Sequence, residues 1–136
     1  MKVKLWCYRI GLYLVLSHYK RQIQKKNFAE ILNRYSRLDG EPVKPNEMQL
    51  RQALALKHQM NLFVSRMPKR FVCYEQALTV LFAARLFRFP VVMHYGVRKS
   101  EGALLAHAWT VSGTHVISGE DEHEVFHVIY SMEVKV

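Results

Sequence analysis

The chain has 136 residues, half of them hydrophobic and 23% charged, with a formal net charge of +9. That length suits one domain with a real core, and the apolar fraction excludes a disordered chain. Its two cysteines, Cys7 and Cys73, stand far apart, which excludes a disulfide-stapled secreted scaffold and favours a reducing, cytoplasmic home. The charge is uneven: residues 1–72 hold 15 Lys/Arg against 4 Asp/Glu, and residues 73–136 hold 5 against 7. A basic half of this kind points to nucleic acid, anionic lipid or an acidic partner.

The first apolar run, Leu5 to Leu16, spans 12 residues and contains Arg9. Crossing a bilayer takes about 20 apolar residues, so this run is too short. Lys2 and Lys4 precede it as in a signal peptide, but no small-x-small cleavage site follows. The spacing therefore predicts a retained helix, facing the core, a partner or a membrane surface. Residues 27–38 predict a second helix with Phe28, Ile31, Leu32 and Tyr35 on one face, Asn27 as N-cap and Glu30 closing a capping box. Asp39-Gly40, Pro42 and Pro45 then break the helix.

Asn46 caps a third helix running to about Met67, with Leu50, Ala53, Leu54, Lys57 and Asn61 down one side. Met60, Phe63, Val64 and Met67 complete its apolar stripe. Residues 73–87 (CYEQALTVLFAARLF) predict a helix apolar on nearly every face, hence one wrapped by the rest of the domain. Pro90 stops it. Strands are expected at 91–97, 105–111, 114–118 and 125–136, with 98–102 a loop, Ser112-Gly113 a hairpin turn and 120–124 an acidic loop. Helices followed by an antiparallel sheet define an α+β fold. The expected organisation is a basic helical region over residues 1–45 and a catalytic core over 46–136, within one compact unit.

Cys73 opens the buried helix, and His107 follows on a strand. Free amides and the helix dipole at that end favour a thiolate and can hold an oxyanion. A histidine on an adjoining strand can take the thiol proton and return it to a leaving amine. The competing reading is an inert core thiol and a structural histidine. His123-x-x-x-His127 lies in a loop entering a strand, where residues four apart need not converge, so no metal and no cofactor is expected. Trp6, Tyr8, Tyr13, Tyr19 and Tyr35 follow helix-face spacing, so core packing accounts for them and no nucleic-acid partner is expected.

Residues 67–78 (MPKRFVCYEQAL) are followed by His94-Tyr95-Gly96-Val97-Arg98-Lys99, then Ala106-His107-Ala108-Trp109 and the Ser-Gly hairpin. This succession, over about residues 48–120, resembles the leader peptidases of lasso-peptide biosynthesis. Those enzymes form a branch of the transglutaminase-like cysteine protease superfamily, with a papain-like core. The resemblance implies Cys73 as nucleophile and His107 as general base, cutting a lasso precursor at its leader–core junction. It also implies a separate leader-binding protein and an ATP-dependent lasso cyclase that takes the freed core.

A third member, an acid orienting the imidazole, is expected just after the hairpin, near Ser118-Gly119, and neither residue can serve. With the turn at Ser112-Gly113, Ser118 faces His107. Alternation then returns Glu120 to that face, whereas Asp121 needs a bulge. Glu120 is the candidate and Asp121 its alternative. Trp109 shares the face of His107 and either shields the site from water or simply packs the core. Two rival functions stand beside the peptidase: acyl transfer to an amine, and a non-catalytic basic module docking on membrane or nucleic acid. In the peptidase reading the basic half becomes a docking surface.

Overall fold

The computed structural model describes residues 2–26, 30–31, 33–67, 71–121 and 123–134. Helix α1 (Lys2–Lys25) buries Leu12, Leu16 and Tyr19, one stripe at helical spacing. Trp6, Ile10 and Leu14, on another face, are exposed. No described helix is long and apolar enough to cross a membrane.

The helix expected over 27–38 does not extend to Leu38. Asn27, Phe28 and Leu32 lie outside the described residues, and the helical stretch at Glu30 and Ile31 gives way to a turn at Asn33 and Arg34. Strand β1 (Ser36–Arg37) then pairs antiparallel with Glu133 and Met132. The sheet edge supplies hydrogen bonds that the short amphipathic pattern cannot match by itself. Ile31 and Tyr35 are still buried, and the Tyr35 hydroxyl lies 3.3 Å from that of Tyr19.

Helix α2 (Glu47–Arg66) begins with a complete capping box. The Asn46 side chain accepts from the Gln49 amide at 2.8 Å, and the Gln49 side chain accepts from the Asn46 amide at 2.8 Å. Ala53, Leu56 and Met60 form its buried face. Helix α3 (Cys73–Phe87) has the expected bounds and ends in a left-handed cap at Arg88, before Pro90. Ala77, Leu78, Val80, Leu81 and Ala84 are fully buried, so the rest of the domain does wrap most of it. Phe82, Leu86 and Phe87 remain exposed toward its C-terminus. A groove of about 220 Å³ runs there between α1 and α3, lined by Tyr8, Leu12, Val15, Phe82 and Leu86.

Four longer strands complete an antiparallel sheet in the order β1-β5-β2-β3-β4. They are β2 (Val91–Ser100), β3 (Ala103–Ser112), β4 (His115–Ser118) and β5 (His127–Val134). A one-turn 3-10 helix, His123–Val125, precedes β5. The expected loop at 98–102 shrinks to a two-residue turn, because Glu101 and Gly102 both take positive φ, at 50° and 80°. The second hairpin turns at Gly113-Thr114 rather than Ser112-Gly113, with Ser112 opposite His115. Gly113 supplies the positive φ of 61° that this turn requires. Leu12 and Leu16 of α1 share one core cluster with Leu78 of α3 and with Met93 and Met132 of the sheet.

Candidate active site

Cys73 is the first residue of α3, directly after the extended Val72. Val72 offers no side-chain cap. Glu75, at the third helical position, sets a carboxylate beside the Val72 amide and its own, both of which favour its charged form. The amides of Cys73 and Tyr74 point to the thiol. Residues that cap a helix from within its first turn thus leave exactly the donors nearest the cysteine unspent on the carboxylate.

The backbone amide of Ala108, the residue after His107, also lies close enough to the sulfur to favour its charged form. A backbone N–H lies in the plane of a sheet, so a sulfur beside it sits toward the edge of β3. That edge is open there, because β4 stops pairing at Ser118, opposite Thr110. Side chains alternate along the strand, so His107 leaves it one residue before the amide that holds the thiol. Cys73 is half-buried, and burial pushes its thiol above the ordinary value, with the Glu75 charge adding to the rise. The amides pull the other way and lose. Desolvation thus opposes the thiolate that the start of the helix favours.

His107 is fixed on three sides. Its Nε2 lies 2.7 Å from the carbonyl oxygen of Gly119. Its ring stacks on Trp109 with centroids 5.7 Å apart and meets Phe126 at 5.0 Å. Trp109 is 4% exposed, so it both packs the core and covers the histidine. Gly96, directly across the β2–β3 ladder from His107, makes the space: a Cβ there would stand 3.0 Å from the Trp109 ring and from Phe126 Cβ.

Neither acid reaches the imidazole as expected. The one-residue slip of the hairpin turn and a bulge between Thr110 and Val111 together put Ser118 opposite Thr110 instead of His107, with their hydroxyls 2.7 Å apart. The following backbone then brings Gly119 to the histidine. Glu120 turns to α2, where its carboxylate pairs with Lys57 Nζ at 2.9 Å. That cation holds the Glu120 carboxyl below its usual value. Asp121 is exposed in the next turn. His123 and His127 do not converge: His123 packs against Trp109 at 5.9 Å, and His127 starts β5 opposite Val97. Among the described residues no cluster of His, Cys, Asp and Glu could hold a metal.

Gly96, Phe126 and Glu75 went unmarked as site residues in the sequence, and Gly119 was named at the place of the third member but set aside for having no side chain. Two signals pointed at them: a glycine inside a strand, which marks a close approach, and an acid at the third position of a helix. The apolar groove between α1 and α3 lies toward the other end of α3 from Cys73 and lines neither proposed catalytic group.

A cysteine opening a buried helix, held against the strand that carries a histidine, defines a thiol-based protein of α+β architecture. The chain matches the family model of the Transglutaminase-like superfamily over residues 15–131 and belongs to that superfamily. Membership brings cysteine-protease or acyltransferase chemistry as its general class. Searches of curated proteins and of solved structures return no significant match.

Proposed function

We propose that this chain is a cysteine peptidase that removes the leader from a lasso-peptide precursor in the cytoplasm, with Cys73 as nucleophile and His107 as general base. The observation that carries the reading is Cys73 at the start of its helix, its thiol beside the Ala108 amide, the residue next to His107. The Nε2 of His107 is taken by an acceptor, which leaves Nδ1 as the basic nitrogen.

In this mechanism the Cys73 sulfur attacks the carbonyl carbon at the leader–core junction, and its proton passes to His107 Nδ1. The amides at the start of α3 donate to the oxyanion. His107 then gives the proton to the departing core amine as the C–N bond breaks, leaving the leader as a thioester on Cys73. Water, activated by His107, hydrolyses the thioester, releasing the leader carboxylate and restoring the thiol. The chemistry calls for no cofactor. Trp109 and Phe126 keep water from the flank of the histidine.

Recognition in this reading falls mainly to a separate leader-binding protein, and an ATP-dependent lasso cyclase consumes the freed core amine. The exposed Ile10, Leu14, Phe82 and Leu86, set beside a basic half, support a docked partner, with a membrane surface as the competing occupant.

The test combines purified chain, precursor and leader-binding protein, with products read by mass spectrometry. Hydrolysed leader and a core with a free amino terminus are expected. Both disappear in Cys73→Ala while circular dichroism is preserved. Cleavage that persists in Cys73→Ala overturns the assignment. An amide adduct on an added amine, without hydrolysed leader, moves the chain to the acyltransferase side of the superfamily.

A further inference from the structure

A histidine that acts as a base through Nδ1 needs an acceptor on Nε2, to fix the tautomer and the ring plane. We infer that the main-chain carbonyl of Gly119 is that acceptor, so that a backbone group occupies the place where a side-chain carboxylate was expected. Gly119 is a positioning residue that acts through His107. The inference deepens the proposed mechanism and rests on His107 being its base, although the tautomer itself can be read without any substrate.

The placement depends on glycine. Gly119 has φ +71°, in the left-handed region that disfavours side chains. A Cβ there would overlap the Ala108 carbonyl oxygen and lie 2.9 Å from Trp109 Cβ. Only a bare backbone can pass this close to β3, and that approach brings its carbonyl to 2.7 Å from His107 Nε2. The bulge at Thr110/Val111 sets the register that delivers it.

The neighbouring carboxylate is held elsewhere from both ends. Glu120 pairs through its side chain with Lys57 at 2.9 Å, and its carbonyl oxygen lies 2.7 Å from His123 Nδ1. His123 in turn packs on Trp109. Residue 120 is thus tied to α2 and to the 3-10 turn, while residue 119 serves the histidine.

A carbonyl oxygen accepts and cannot donate, so His107 Nε2 carries a proton, and in the neutral ring Nδ1 is the nitrogen with the lone pair. The acceptor is a dipole without net charge. It orients the ring as a carboxylate does, but it stabilises the imidazolium formed during attack less.

The test is long-range ¹H–¹⁵N NMR on the full chain labelled with ¹⁵N-histidine at neutral pH. His107 is expected as the Nε2–H tautomer, and Glu120→Gln leaves that signal in place. Gly119→Ala, checked for folding by the rest of the spectrum, converts it to a tautomer mixture. The same variant lowers kcat on the order of 10²-fold with KM little changed, the scale of a misplaced catalytic group. A wild-type Nδ1–H tautomer or mixture overturns the inference. So does loss of the Nε2–H signal in Glu120→Gln, which would return the role to the carboxylate. Cleavage that survives Cys73→Ala with the Nε2–H tautomer intact removes the peptidase reading and leaves the hydrogen bond standing.

Discussion

Glu75 lies two residues beyond Cys73 in the first turn of α3, and its carboxylate secures the helix while opposing ionisation of the thiol. It lies beside the amide of Val72, a residue with no side-chain cap of its own. Its charge pushes the Cys73 thiol upward, second to burial. The side chain is 5% exposed, and one carboxylate oxygen, Oε2, has no hydrogen-bond partner. Helix stability and nucleophile reactivity are therefore set against each other by one buried group.

Replacing that charge separates the two effects. Glu75→Gln keeps an acceptor oxygen for the Val72 amide and removes the negative charge. Alkylation of Cys73 by iodoacetamide, followed against pH, is expected to shift its inflection downward. The Glu75 carboxyl is itself raised from 4.5, chiefly by burial. The folded state thus retains a proton that the unfolded chain has lost, so this group's contribution is present below 4.5 and fades as pH rises through the folded value. Urea midpoints measured from mildly acidic to neutral pH should flatten in the variant.

Gly96 is expected to tolerate no side chain. Gly96→Ala brings a methyl group to 3.0 Å from Trp109 and from Phe126, the two rings that flank His107. Overpacking of this kind costs about 1–3 kcal/mol. Denaturant unfolding should show that loss, and Trp109 fluorescence in the folded state should shift. A variant as stable as the parent, with unchanged emission, would show that the rings have room the structure denies them.

His94 makes stability sensitive to mild acid. Burial, and then the neighbouring His123, hold its imidazole below the ordinary 6.5, and Nδ1 lies 2.7 Å from the Ser131 hydroxyl. Unfolded histidine binds a proton that the folded one refuses. The contribution is complete above 6.5 and is lost as pH falls through the folded value. The urea midpoint should drop as pH falls below 6.5, and His94→Gln should weaken that dependence.

The sequence by itself determined the elements whose signals are local. Asn46 and Gln49 spell a capping box three residues apart, and α2 starts there. An unbroken run of helix formers between Val72 and Pro90 carries Cys73 at its first position, and α3 keeps those bounds. Alternation and two glycine-bearing turns were enough for an antiparallel sheet, although the turn at Gly113-Thr114 slipped by one residue. Motif order also pointed to the superfamily that the chain joins.

Only the tertiary structure decided what the site contains. A sheet edge made a strand of Ser36 and Arg37, where local periodicity favoured a helix. The bulge in β3–β4 and the ion pair from Lys57 to Glu120, 63 residues apart, took the acid from the histidine. Burial, which no local pattern measures, opposes the thiolate that the helix start favours. The group that meets His107 is a backbone carbonyl. Every residue carries one, so no letter of the sequence marks it, and only its position in the folded chain makes it distinctive.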